Sequence, residues 1–335
     1  MPQIVSLIRI VLVVFVCLVL SSCVADDPDP GLEVDSELEV NQIFSGLDSP
    51  THFFQLDEDK FLVSQLAGDE NDNKGQILLI DISTGSKEII YDQLDKPTGV
   101  VEINGQVFVM ERNSFSVGDL SGVPLKVIEQ DMPFNGRSQG TLTVTPQGRV
   151  LYNTSGRTED AVVEVGSGIL FEYDPVTEKS KSVASGFKHA YSHTYDSENN
   201  IWVTEIGDGT YDGADPNEEL IKISDEGSHA GWPKCINNRV PVSEFGGVSE
   251  FCNQTLAPVA MFSSKSTPVS VVVSPWEDGE FIVALWNESK VVSVNAETSE
   301  VEDVYTGIEH PQSLISIDES LLVLDFDDGQ ILELS

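Results

Sequence analysis

Cations are scarce in this chain: 18 Lys and Arg stand against 56 Asp and Glu, a formal charge of −38. That deficit excludes nucleic acid as a partner, because phosphate binding needs clustered Lys and Arg. The acid is spread along the whole chain, which favours solubility and suits a saline habitat but does not bear on fold. Long amphipathic helical patterns are missing, which removes helical bundles and α/β layers from consideration. Cysteine occurs only at positions 17, 23, 235 and 252. The apolar run from Ile10 to Leu20 is too short to span a bilayer as a helix.

What that run does suit is an address. Arg9 precedes it, and it ends at Leu20-Ser21-Ser22-Cys23, the order of a bacterial-type lipobox. Residues 1–23 are therefore expected to be a lipoprotein signal, with Cys23 as the acylated first residue of an exported protein held at the cell envelope by its lipid alone. More than one acyl chain on Cys23 gives stable anchoring. Residues 24–37 are rich in Asp, Pro and Glu and cannot bury enough apolar surface to fold. They read as a tether. Cys17 leaves with the signal and Cys23 carries lipid, so Cys235 and Cys252 remain. Export and close spacing argue for a disulfide between them.

From residue 38 onward the sequence repeats. Six units align, each with a Pro- or Gly-bearing loop, an apolar strand, a turn and a second apolar strand, a hairpin signature. Their second strands include Phe61-Leu62-Val63, Val107-Phe108-Val109, Val150-Leu151-Tyr152, Ile201-Trp202-Val203, Phe281-Ile282-Val283 and Leu321-Leu322-Val323. A strand-rich unit recurring at this interval marks a propeller. The expectation is an all-β, six-bladed β-propeller over residues 38–335. The last unit supplies three strands before Ser335, and an open sheet edge invites pairing. Leu38 to Phe44 can fill that place, so an N-terminal strand is expected to close the ring. The longest interval, 207–262, holds the cysteine pair and reads as an insertion. Excess loop on a repeat scaffold is where binding tends to sit.

The fourth unit runs Gly186-Phe187-Lys188-His189, Trp202-Val203-Thr204-Glu205-Ile206-Gly207, Glu218-Glu219-Leu220-Ile221 and Gly231-Trp232-Pro233. It resembles the fourth blade of the soluble pyrroloquinoline quinone (PQQ)-dependent glucose/sorbosone dehydrogenases. There an Arg-Asn pair, a Glu-x-Gly turn, an Asp-Glu-Ile-Asn stretch and Tyr-Gly-Trp-Pro recur in that order. Ser266-Thr267-Pro268 and Ala284-Leu285-Trp286-Asn287 are similar to that family's fifth-blade motifs in shortened form. The resemblance covers residues 130 to 335 and implies oxidation of a sugar or polyol CH–OH group with PQQ and Ca²⁺.

The departures from the family are as specific as the matches. Arg137 stands where the family has the His that takes the hydroxyl proton, and a guanidinium stays protonated. Lys188-His189 replaces the quinone-binding Arg-Asn, and His310 replaces an Arg of the last blade. Arg to Lys loses bidentate recognition of a carboxylate. By the resemblance, Arg137, Lys188, Trp232, Trp286 and His310 fall at the cofactor, and Glu205, Gly207, Asp208 and Glu218 at a hard cation. Trp232 suits either stacking on a flat cofactor or plain packing. His189 and His193 are the nearby imidazoles available as a replacement base, or else ordinary polar residues.

Read from the repeat alone, the innermost strands are expected to end at Gln65, Glu111, Thr154, Glu205, Leu285 and Asp325, ringing the channel mouth. Carboxylates there would be neutralised by Ca²⁺ or simply solvated. Three functions follow: a quinone-dependent sugar oxidoreductase, a propeller that keeps only a ligand- or protein-binding face, and a metal-centred lactonase-like hydrolase using the channel carboxylates.

Overall fold

The computed structural model describes residues 38–136 and 138–335. The signal, Cys23, the tether and Arg137 lie outside them. Strand dominates, in six sheets of four or five strands and two small hairpins among the described residues. Blade 1 comprises Pro50–Gln55, Lys60–Gln65, Gly75–Asp81 and Ser86–Leu94, and blades 2, 3, 4 and 5 open with Gly99–Ile103, Thr143–Val144, Ala190–Tyr195 and Pro268–Val273. Blade 6 holds Pro311–Ile317, Ser320–Asp325 and Gln330–Leu334, and Val40–Ser45 pairs antiparallel with the last of these. The ring is thus closed by strands from both ends of the propeller. Leu334 and Leu332, which would sit on an exposed edge strand, are buried.

Six apolar cores lie between successive blades. Phe61 and Val63 face Leu322 and Leu324 of blade 6, while Leu62 between them faces Val100, Val107 and Val109 of blade 2. Trp202 points to blade 5 and stacks on Phe281 with ring centroids 3.9 Å apart, whereas Ile201 and Val203 point back to blade 3. Each second strand is therefore covered on both faces, which is why it is apolar at every position rather than alternating.

The strand assignment next to the channel needs correction. The first strand of each blade is innermost, and the strands ending at Gln65, Glu111, Glu205 and Asp325 are one step out. Those ends do not ring the channel; they hold loops of their own blades. Gln65 Oε1 accepts the Asp48 N–H at 2.9 Å, Glu111 Oε1 accepts that of Asp95 at 2.7 Å, and Glu205 accepts those of Lys188 and His189. Asp325 accepts from Asp327 N–H and from Gln330.

The innermost strands are joined to each other by side chains instead of a ladder. Thr51 Oγ1 donates to Pro97 O, Thr98 Oγ1 to Gly140 O, Thr143 Oγ1 to His193 O and Gln312 Nε2 to Thr51 O, while Ser192 Oγ accepts from Val271 N–H and Ser270 Oγ from Leu314 N–H. These bonds step from blade to blade around all six junctions and satisfy backbone groups that would otherwise be orphaned. Close approach matters here: a Cβ on Gly140 would stand 2.1 Å from Tyr191 O.

The insertion lies inside blade 4, whose outer strands are Glu218–Ile223 and Pro258–Phe262. Its hairpin and a short helix, Ser249–Cys252, are joined by a Cys235–Cys252 disulfide with Cα atoms 5.7 Å apart. Tyr211, Trp232 and Val242 form its own small core.

Candidate functional site

The channel carries two cavities, one at each end of the innermost strands. At the end where chain enters the blades, about 330 Å³ is bounded by His189, Tyr191, Gln312, Trp286, Phe326 and Lys96. At the other end, about 480 Å³ is bounded by His52, His193, Phe54, Val101, Leu142 and Leu314. In the first, Gln312 donates to both Thr51 O and the Tyr191 hydroxyl. His189 and His193 therefore do not share a site, although they are four residues apart. One strand carries them to opposite ends.

The entry-end cavity has an aromatic wall. Trp286 stacks on His310 at 4.4 Å with an interplanar angle of 21°, and Phe326 meets Trp286 edge-on at 4.8 Å. His310 is fixed in turn by Asp327, 2.5 Å from its Nδ1. His189 is 1% exposed and sets its ring edge-on to Tyr191 at 5.1 Å. Thr51, Thr98 and Ser138 bring hydroxyls to the same space. Among the described residues lining it, Lys96 is the one lysine or arginine, and it forms an ion pair with Glu70.

The remaining family-implied residues gather elsewhere, around a space of about 20 Å³ between blade 4 and its insertion. Lys188 lies there, its ammonium 3.1 Å from Gly156 O and 5.4 Å from the Trp232 ring centroid. Trp232 is 6% exposed and donates its indole N–H to the Tyr211 hydroxyl at 2.6 Å, so of the two roles open to it packing is the one realised. Gly207 N–H donates to Glu218 Oε2 at 3.0 Å, and Asp208 O accepts from Tyr211. Among the described residues no three His, Cys, Asp or Glu side chains converge on one point.

Sequence reasoning missed Glu219. It is paired directly opposite Glu205 in the ladder, so both side chains share a sheet face, and both line the small space. Glu219 is 7% exposed, and its Oε1 has no hydrogen-bond partner among the described residues. Burial raises its carboxyl to about 8, with the charge of Glu218 adding to the effect. Burial likewise holds Glu205 well above the carboxylate range, against the two backbone N–H groups that favour its anion. The signal was the register, because once Ile201–Glu205 and Glu218–Ile223 are neighbouring strands Glu205 must face Glu219.

Solved structures with this arrangement include sugar dehydrogenases and, with a TM-score of 0.57 at 9% identity, a putative gluconolactonase. The PQQ-bound aldose sugar dehydrogenase from Streptomyces coelicolor superposes with a TM-score of 0.71 at 15% identity, covering 89% of this chain and 98% of that one. The fold is theirs. The apo soluble aldose sugar dehydrogenase from Escherichia coli gives 0.67 at 13% identity, over 89% and 99% of the two chains. The holo PQQ domain of pyranose dehydrogenase from Coprinopsis cinerea gives 0.67 at 14%, over 89% and 95%. No protein-family profile matches the chain, and no curated protein does. At these identities the likeness is one of fold, and function must be argued from the site.

Proposed function

We propose that this is an exported, lipid-anchored propeller of the sugar-dehydrogenase type that binds a sugar or polyol in the entry-end cavity. The observation that carries the reading is the meeting of His189, the indole of Trp286 and the polar side chains of Ser138, Thr267 and Asn287 in one space of about 330 Å³. An indole face takes the apolar face of a sugar ring, and hydroxyls with an imidazole take its rim.

A tricarboxylate quinone needs cations. Among the described residues, which leave out Arg137, the cavity offers Lys96, already paired to Glu70, while Lys188 is directed at Gly156 and Trp232. Oxidation of the bound CH–OH group is the second reading, with the buried His189 taking the hydroxyl proton and an electron acceptor supplied from outside the chain taking the hydride. A general base placed there contributes about 10²- to 10⁴-fold in rate. The hydrolase reading loses its ligands, because Glu111, Glu205 and Asp325 hold loops instead of meeting in the channel.

A hard cation fits at Glu205, one of the residues implied for it, with Glu219 as the second carboxyl in place of Asp208 and Glu218. Two buried carboxylates face each other across about 20 Å³, enough for one water or ion, and Glu219 Oε1 is unpartnered. Carboxylate and amide oxygens suit Ca²⁺, which there would brace blade 4 against its insertion. Terbium emission sensitised by Trp232 should appear in wild type, be displaced by Ca²⁺, and vanish in Glu219→Gln.

Calorimetric titration of the Ca²⁺-loaded mature protein with aldoses and polyols tests the main reading. Saturable binding is expected, weakened about tenfold in Trp286→Ala, the upper end of what an aromatic contact contributes. Absence of binding across the panel would overturn it. PQQ binding with dye-linked turnover that is lost in His189→Gln would establish the second reading.

A further inference from the structure

The two imidazoles at the far end of the channel both depart from the repeat. His52 occupies the register position held by Ser192, Ser270 and Ser313 in blades 4, 5 and 6, each just past the bulge of its innermost strand. There Ser192 and Ser270 accept one backbone N–H from the next blade, and His52 Nδ1 accepts that of Val100 at 3.3 Å. An imidazole brings more than this bond requires, a second nitrogen. His193 stands one position on, where blades 1, 5 and 6 place Phe53, Val271 and Leu314.

Their hydrogen bonds fix the tautomers. Thr143 Oγ1 donates its one hydrogen to His193 O at 2.7 Å, so the 2.7 Å contact between Thr143 Oγ1 and His193 Nδ1 requires the ring N–H at Nδ1. His193 Nε2 is then an acceptor. It is buried without a partner among the described residues, and the side chain is 3% exposed. His52 spends its Nδ1 lone pair on Val100, so its Nε2 bears the hydrogen and is a donor. Burial keeps both rings neutral, with His193 pushed down to about 3 and His52 to about 4.

We infer that this cavity is a second ligand site, for a small neutral alcohol with an apolar body. A hydroxyl is the group that both donates and accepts, and here a fixed acceptor and a fixed donor border one cavity of about 480 Å³. Phe54, Val101, Leu142 and Leu314 supply apolar wall for the rest of the molecule. A transition metal is not suited, because His52 would have to give up its bond to Val100 or lose its last ring proton. Among the described residues this wall carries no Lys or Arg to meet an anion and no Asp or Glu to meet an ammonium. Gln312, Tyr191 and Thr51 lie on the side of the sugar cavity, and the two cavities share no lining residue.

The test is nitrogen-15 NMR of histidine-labelled protein titrated with cyclohexanol, with cyclohexylammonium and cyclohexanecarboxylate as charged comparators. Two-bond proton correlations should show His193 as the Nδ1–H and His52 as the Nε2–H form before any addition. Cyclohexanol should then saturably move the His193 Nε2 resonance upfield, and the charged comparators should bind about tenfold more weakly, as expected when a buried polar group is left unmatched. His193→Leu should weaken cyclohexanol about tenfold. Val273→Trp, which fills the cavity wall and leaves both imidazoles, should abolish binding while the two tautomers persist. A His193 Nε2 resonance that does not respond, or cyclohexanol affinity unchanged in either folded variant, overturns the inference.

Discussion

Burial of His193 makes the propeller sensitive to mild acid, with a sign that follows from linkage. Its pKa is lowered from 6.5 to about 3, by burial first and by the neighbouring His52 second. Above pH 6.5 neither the folded nor the unfolded chain protonates it, and its environment costs nothing. Below pH 6.5 the unfolded chain takes up a proton that the native state refuses, so stability falls until pH 3. At pH 5 the loss is about 2 kcal/mol, and the full shift corresponds to about 5 kcal/mol. His52 acts in the same direction with a smaller share, since its ring borders the open cavity. Urea unfolding of wild type and His193→Gln at pH 7.5 and pH 5.0 isolates the term, because carboxylates common to both proteins cancel. The fall in unfolding free energy between the two pH values should be about 2 kcal/mol larger in wild type. Equal falls in the two proteins would refute both the burial argument and the neutral imidazole that the second ligand site requires.

Two further outcomes are expected. Joint replacement of Cys235 and Cys252 by Ala reopens a loop of 17 residues' separation and should lower stability by about 3 kcal/mol, while non-reducing peptide maps of the wild type should show that one pair linked. Radiolabelled palmitate should mark the wild type and not Cys23→Ala; equal labelling of both would remove the lipoprotein reading.

The blades were legible because of what the second strands must do. Covered on both faces, they carry uninterrupted runs such as Phe61-Leu62-Val63 and Ile201-Trp202-Val203, and such runs stand out at a fixed interval. The missing strand of blade 6 was legible by counting, and Val40–Ser45 fills it. The same conspicuousness misled the placement of the channel. Innermost strands face polar space and join their neighbours through Thr51, Thr143, Ser192 and Ser270, so they read as unremarkable polar stretches, and the apolar runs read as the axial strands. Everything attached to that assignment moved with it, including the carboxylates of Glu111, Glu205 and Asp325. Residues whose role depends on pairing register, Glu219 above all, have no local signature. Nor does the separation of His189 from His193, which follows from strand direction relative to the channel.

The ring of side-chain bonds around the axis sets the standard by which a channel residue can be called functional here. A Ser or Thr beside the axis is accounted for once it has stitched one blade to the next, as Ser270 does for Leu314 and Thr98 does for Gly140. What carries information is a residue that exceeds the stitch. His52 makes the bond a serine would make and still presents a donor; His193 interrupts a position that is otherwise apolar. Gln312 binds Thr51 O and also the Tyr191 hydroxyl. At the entry end, Trp286 packs against the core between blades 5 and 6 and also stacks on His310. By this measure the six-bladed scaffold accounts for the Ser and Thr of the axis, and the chemistry in excess of it sits, among the described residues, at both ends of the channel as imidazoles and an indole.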